Sequence, residues 1–104
     1  MRTVRILGQA AEEAIEAAAW YDRQRPGLGT DFFEAFEAAI DLAEAQIIPL
    51  SPYPGKAGAA GARRVILKRF PYDIVIVERA AEFVVIAVAH QSRRPGYWRE
   101  RLSP

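Results

Sequence analysis

The sequence has no cysteine, which excludes disulfide frameworks and thiolate metal sites. That absence makes a reducing cytoplasm the expected setting. A single histidine, His90, leaves a zinc site to be built almost wholly from carboxylates, so neither metal nor cofactor is expected. Long apolar runs are missing too. Phe83–Ala89 falls far short of the roughly 18 residues that cross a bilayer, and no membrane association is expected. Arg2 and Arg5 imitate a signal-peptide start, but Glu12, Glu13 and Glu16 break the apolar region that would have to follow. Ser51, Ser92 and Ser103 sit beside no triad or nucleophile elbow. Gly27-Leu28-Gly29 follows a helix rather than a strand, the wrong context for a phosphate-binding loop.

What is present fits one domain spanning residues 1–104. The 104 residues are 51% hydrophobic and 11% aromatic, enough for a two-layer core and incompatible with disorder. The net charge of +1 conceals a strong asymmetry. Between Ala10 and Ile47 nine acids face only Arg23 and Arg25, a net of −7. From Lys56 onward ten bases face four acids, a net of +6. Twelve arginines against two lysines suit planar, bidentate recognition of phosphate or carboxylate. The plainer reading is that acidic helices and basic strands neutralise each other within one molecule.

Periodicity divides the chain. Thr3–Leu7 alternates as a short strand. Ala10 to about Gln24 is an alanine-rich helix with Ala11, Ile15 and Ala18 at helical spacing. Pro26-Gly27-Leu28-Gly29 stops it, and Thr30 is the expected N-cap of a second helix. Phe32, Phe36, Ala39, Ala43 and Ile47 form that helix's apolar stripe, and Pro49, Pro52 and Pro54 end it. Gly55–Ala62 reads as a loop. Three β-rich runs follow, Arg63–Phe70, Tyr72–Arg79 and Glu82–His90, the last two joined as an antiparallel hairpin across Ala80-Ala81. The last run is apolar at both parities and reads as a central strand covered on both faces. The expected fold is α+β, β-α-α-β-β-β: a twisted, mostly antiparallel sheet of about four strands with a helical hairpin on one face.

Several strings coincide in that order. They are Trp20-Tyr21, Pro26-Gly27-Leu28-Gly29 with Phe33, Pro52-Tyr53-Pro54, Arg63-Arg64-Val65-Ile66-Leu67, Phe70-Pro71-Tyr72-Asp73-Ile74, Ala87-Val88-Ala89-His90, and Arg93-Arg94-Pro95-Gly96-Tyr97-Trp98. Together they resemble the RelE/ParE superfamily of bacterial type II toxin–antitoxin toxins, also known as plasmid-stabilisation proteins. The resemblance spans essentially the whole chain. It implies a toxin held inactive by a cognate antitoxin, with one of two targets. RelE-like members cleave messenger RNA in the ribosomal A site without a metal; ParE-like members poison DNA gyrase. A third reading, a non-toxic protein-binding module, stays open, since the fold alone does not decide the function.

Metal-free RNA cleavage needs a base for the 2′-hydroxyl, cations for the charge on phosphorus, and an acid for the leaving oxygen. By resemblance the matching residues are Arg64, Lys68, His90, Arg93 and Tyr97. Arg64 and Lys68 read equally well as the solvated side of a half-buried strand, and Tyr97-Trp98 as an anchor for the C-terminus. Arginine cannot move protons at any relevant pH, so proton transfer would fall on Lys68, His90 or Tyr97. That scarcity favours the gyrase reading. For partner contact the expected residues are Arg63, Arg64, Arg69, Arg93, Arg94 and Trp98, suited to an acidic, apolar antitoxin segment.

Overall fold

The computed structural model describes residues 3–45, 51–59, 61–94 and 96–102. A short strand, β1 (Thr3–Ile6), leads into helices α1 (Gly8–Gln24) and α2 (Leu28–Glu44). Then come β2 (Ser51–Pro52), a one-turn helix α3 (Lys56–Ala59), and strands β3 (Ala62–Ile66), β4 (Tyr72–Glu78) and β5 (Glu82–His90). The chain closes on a 3₁₀ turn, Arg99–Leu102. The strands form one sheet in the order β1-β5-β4-β3-β2. Only the β1–β5 pairing is parallel; the others are antiparallel.

The α+β architecture and the β4–β5 hairpin agree with the sequence reading, with Arg79 N–H donating to the Glu82 carbonyl across the tight turn. Three details of the strands and the loop before them differ. The sheet has five strands, because the proline segment after α2 contributes β2, a two-residue edge strand paired with Arg63 and Arg64. Prolines are tolerated there because an edge strand leaves one row of donors unused. The Gly55–Ala62 loop contains α3. β3 stops at Ile66, and residues 67–71 form the bend into β4.

α2 starts two residues before Thr30. Its N-cap is Gly27, in the left-handed region at φ 92° that only glycine adopts without strain. Asp22, reaching over from α1, accepts the Gly29 N–H at 2.7 Å and so satisfies one of the free donors of the first turn.

Both faces of the sheet are covered. On one, Phe32, Phe36 and Ile40 of α2 and Ala10, Ala14, Ala17 and Ala18 of α1 pack on Val65, Ile74, Ile76, Phe83, Val85 and Val88. On the other, Ala62, Val75, Val77, Val84, Ile86, Ala87 and Ala89 pack against Trp98, Tyr53 and Leu102. α1 is rotated from the expected stripe: Ile15 is 58% exposed, and alanines form the buried face. Small side chains let the helix axis approach the sheet, a geometry that apolar spacing alone does not reveal. Ile47 lies outside the described residues.

A register shift between Val75 and Ile76 leaves Ile86 as an extra residue in β5. Such a bulge inverts the alternation beyond it. Ala87 therefore joins Ile86 in the layer of Trp98, and Val88 returns to the helix-side core.

Candidate functional site

The sheet face away from the helical hairpin carries a cleft of about 520 Å³. β3 supplies Arg64 and Ile66, β4 Asp73, the end of β5 Ala89 and His90, and the tail Gln91, Arg93, Arg94, Tyr97 and Trp98. Tyr53 and Pro54 close the β2 side. Alternation on β3 explains the placement: Ala62, Arg64 and Ile66 share this face, while Val65 packs under the helices.

Asp73 is the one buried acid among the described residues, 5% exposed. Its Oδ2 accepts from Arg64 Nη1 at 3.3 Å and its Oδ1 from Gln91 Nε2 at 3.2 Å. The Arg64 guanidinium also lies 5.4 Å from the centre of the Tyr53 ring, which meets Trp98 edge-on at 4.8 Å. Burial, and then the Asp73 charge, raise the Tyr53 phenol above its ordinary value.

A second centre holds the tail in place. Glu13, on α1, accepts from the Val88 backbone N–H at 3.0 Å, Tyr97 Oη at 2.5 Å and Arg101 Nη1 at 2.9 Å. Arg93 Nη1 stands 3.6 Å from the same carboxylate, and its guanidinium covers the Tyr97 ring at 3.8 Å. Burial raises the Tyr97 phenol well above its ordinary value, and the hydrogen bond to Glu13 raises it further. That hydroxyl keeps its proton. Nothing in the sequence pattern marks Glu13, because its partners lie 75 to 88 residues away.

Four of the five residues named for nuclease chemistry, Arg64, His90, Arg93 and Tyr97, line this cleft. Lys68 does not: it is exposed in the β3–β4 bend, beyond the end of the strand it was expected to share with Arg64. His90 lies where this cleft meets a neighbouring groove of about 730 Å³ that includes Trp20, Tyr21 and Tyr72. Its Nδ1 accepts the Ser92 N–H at 3.0 Å and lies 2.7 Å from Ser92 Oγ.

Of the residues named for partner contact, Arg64, Arg93 and Arg94 line the cleft. Arg63 is exposed on β3. Arg69 sits in the β3–β4 bend, 3.5 Å from Asp31 of α2. Trp98 is 1% exposed and serves as the central side chain of the second core layer, with its ring withdrawn from the surface.

No protein-family model matches the chain, and no curated protein gives a significant match. A solved structure does: "Chromosomal ParDE TA system from P. aeruginosa" is similar at a TM-score of 0.71 and 16% sequence identity. The alignment covers 86% of this chain and 96% of that one. The two share a fold. The resemblance read from the sequence is thereby met at the level of architecture, with the cleft formed on the sheet face opposite the helices. Among the described residues, no helix is long and apolar enough to cross a membrane, and no group of three His, Cys, Asp or Glu could hold a metal ion.

Proposed function

We propose that the chain is the toxin component of a type II toxin–antitoxin module, neutralised by a cognate antitoxin. Its action is ParE-like: it binds and poisons DNA gyrase instead of cutting RNA. The fold shared with a protein of a ParDE system supports the first part. One observation carries the second, namely that two of the three groups able to move protons, Tyr97 and Lys68, are engaged or displaced. The Tyr97 hydroxyl is tied to Glu13 by a hydrogen bond, the His90 Nδ1 is turned to Ser92, and Lys68 stands outside the cleft. The remaining cleft cations are guanidiniums, which attract anions but neither take nor give a proton.

The competing reading, a ribosome-dependent endoribonuclease, draws on the convergence of Arg64, His90 and Arg93 on one cleft. A paired assay separates the two. Purified protein is added to a gyrase supercoiling reaction and, separately, to translating ribosomes with mapping of messenger ends. Inhibited supercoiling with intact messages is expected, and His90→Ala leaves it unchanged. A-site cuts abolished by Tyr97→Phe or His90→Ala overturn the reading. Inactivity in both assays, with a co-purifying neighbouring gene product, assigns a non-toxic protein-binding module.

A further inference from the structure

Ile15 and Ile66 are the two most exposed large apolar side chains among the described residues, 58% and 51% open to water. They lie on opposite sides of the molecule, each among charges of one sign. On α1, Glu12, Ile15, Glu16 and Ala19 recur at three- and four-residue spacing and form the outward stripe, opposite the buried alanines. Neither glutamate has an ion pair among the described residues. The nearest base on that stripe is Arg23, at the far end of the helix. Ile66 lines the cleft on the other face of the sheet, on the same side of β3 as Arg64. Arg93 and Arg94 line the cleft with it, and the Asp73 carboxylate there is already held by Arg64 and Gln91.

A single exposed isoleucine needs no explanation. Two, each set among charges complementary to the other's, make a matched pair of surfaces. A nucleic acid offers the cleft phosphates but no aliphatic group for Ile66. An acidic helix face with one branched aliphatic side chain offers both, and this chain carries such a face on α1. The two surfaces cannot meet within one molecule, because the sheet stands between them.

We propose that the cleft receives a second copy of this chain: Ile15 of one copy packs on Ile66 of the next, with Glu12 and Glu16 against Arg93 and Arg94. The contact joins two different surfaces, so it is head-to-tail and each added copy leaves one of each surface free. One helix face on one cleft is a small interface, so the association is weak and appears at high protein concentration. Its charged rim makes it dependent on salt. The inference stands apart from the toxin reading, since it uses only the two surfaces of this chain.

The test is sedimentation equilibrium of the full chain over a range of concentrations. At about 0.01 M salt, where the Debye length is about 30 Å, the mean mass should rise with concentration past that of a dimer. At about 1 M, where it is about 3 Å, the chain should be monomeric. Glu12→Lys with Glu16→Lys disables the helix side, and Ile66→Ser with Arg94→Ala the cleft side; all four positions are exposed. Each double variant alone should associate at least tenfold more weakly than wild type. Mixed in equal amounts, the two should form a heterodimer and grow no further, because one intact helix face meets one intact cleft. If a double variant fails to fold by circular dichroism, Glu12→Gln or Arg94→Gln takes its place, with a several-fold loss. A monomer at low salt, association that high salt leaves intact, or a wild-type dimer that grows no further overturns the proposal. So does a mixture of folded variants no heavier than its parts.

Discussion

Removal of the Glu13 carboxylate should be the most damaging single change outside the apolar core. β1 ends at Ile6, paired with Val85, and the last bond on that side of β5 is Leu7 N–H to the Val85 carbonyl. Beyond that point the edge of β5 has no strand beside it among the described residues. Arg101 Nη1 donates to the Ile86 carbonyl at 2.9 Å, and Glu13 accepts the Val88 N–H, so two paired side chains stand in for a strand. Both side chains are largely withdrawn from water, 17% and 13% exposed. Truncating one member of such a pair leaves an uncompensated charge and typically costs about 3–5 kcal/mol. Against a total of about 5–15 kcal/mol, Glu13→Ala should leave the fold marginal. At roughly 4–8 °C per kcal/mol for a domain of this size, Tm should fall by at least about 12 °C. Glu13→Gln keeps an acceptor for Val88 and loses the charge, so its cost should be smaller, about 1.5–3 kcal/mol. Urea unfolding followed by circular dichroism measures both, and a double-mutant cycle with Arg101→Met should return a coupling of at least ~1 kcal/mol. Since alanine is the better helix former, local propensity works against the effect. A Glu13→Ala protein within about 1 kcal/mol of wild type, the level of an ordinary substitution, would refute this account.

Gly29→Ala places a Cβ 2.5 Å from the Ala18 carbonyl oxygen and 2.8 Å from Asp22 Cγ, both on α1. It should cost about 1–3 kcal/mol in urea unfolding. Trp98→Ala opens the layer over Val75, Val77, Val84 and Ile86 and should cost about 3–5 kcal/mol, read in the same assay. Burial raises the phenols of Tyr21, Tyr53, Tyr72 and Tyr97, so above pH ~10 the unfolded chain releases protons that the folded one retains. Stability from this source is full below that pH and declines as pH rises through it toward the higher folded-state values. Urea midpoints from pH 8 to 11 should fall accordingly, and Tyr97→Phe should remove part of the decline.

The elements legible in the sequence were those governed by local rules. Proline and glycine placed the break between the helices, and the two-residue connection at Ala80-Ala81 placed the hairpin. What escaped was set by contacts between distant segments. The bulge at Ile86 is invisible in a run of residues that are apolar at every position. The phase of α1 was misjudged because its buried face is made of alanine, whose hydropathy is weak beside that of the exposed Ile15. The cleft was legible in part: Arg64, His90, Arg93 and Tyr97 were named, whereas Asp73 and Glu13, which hold Arg64 and the tail, were not. Glu13 meets Arg101 88 residues away and Asp73 meets Arg64 across a strand pairing, and a carboxylate on a strand or helix looks like any solvated one until that partner is known.

The charge asymmetry has a spatial meaning that composition could not give. If helical acids and C-terminal bases simply cancelled, ion pairs would run between them throughout. Among the described residues such pairs involve only Glu13, with Arg93 and Arg101, and Asp31, with Arg69. Glu12, Glu16, Glu34, Glu37 and Asp41 are exposed on the helices instead. The sheet separates the two populations, because the hairpin packs on one face and the arginine cleft opens on the other. Polarity along the chain thus becomes polarity across the molecule, and a partner approaching the cleft meets guanidiniums over a thin apolar layer. Glu13 is the exception, and its position explains why. It lies past the end of β1, where no strand divides the two faces, and its charge is taken up by Arg101 before it can oppose the cleft. Glu13 and Arg101 cancel as a pair, so the tail is fastened while the cleft keeps the excess of Arg64, Arg93 and Arg94 over Asp73.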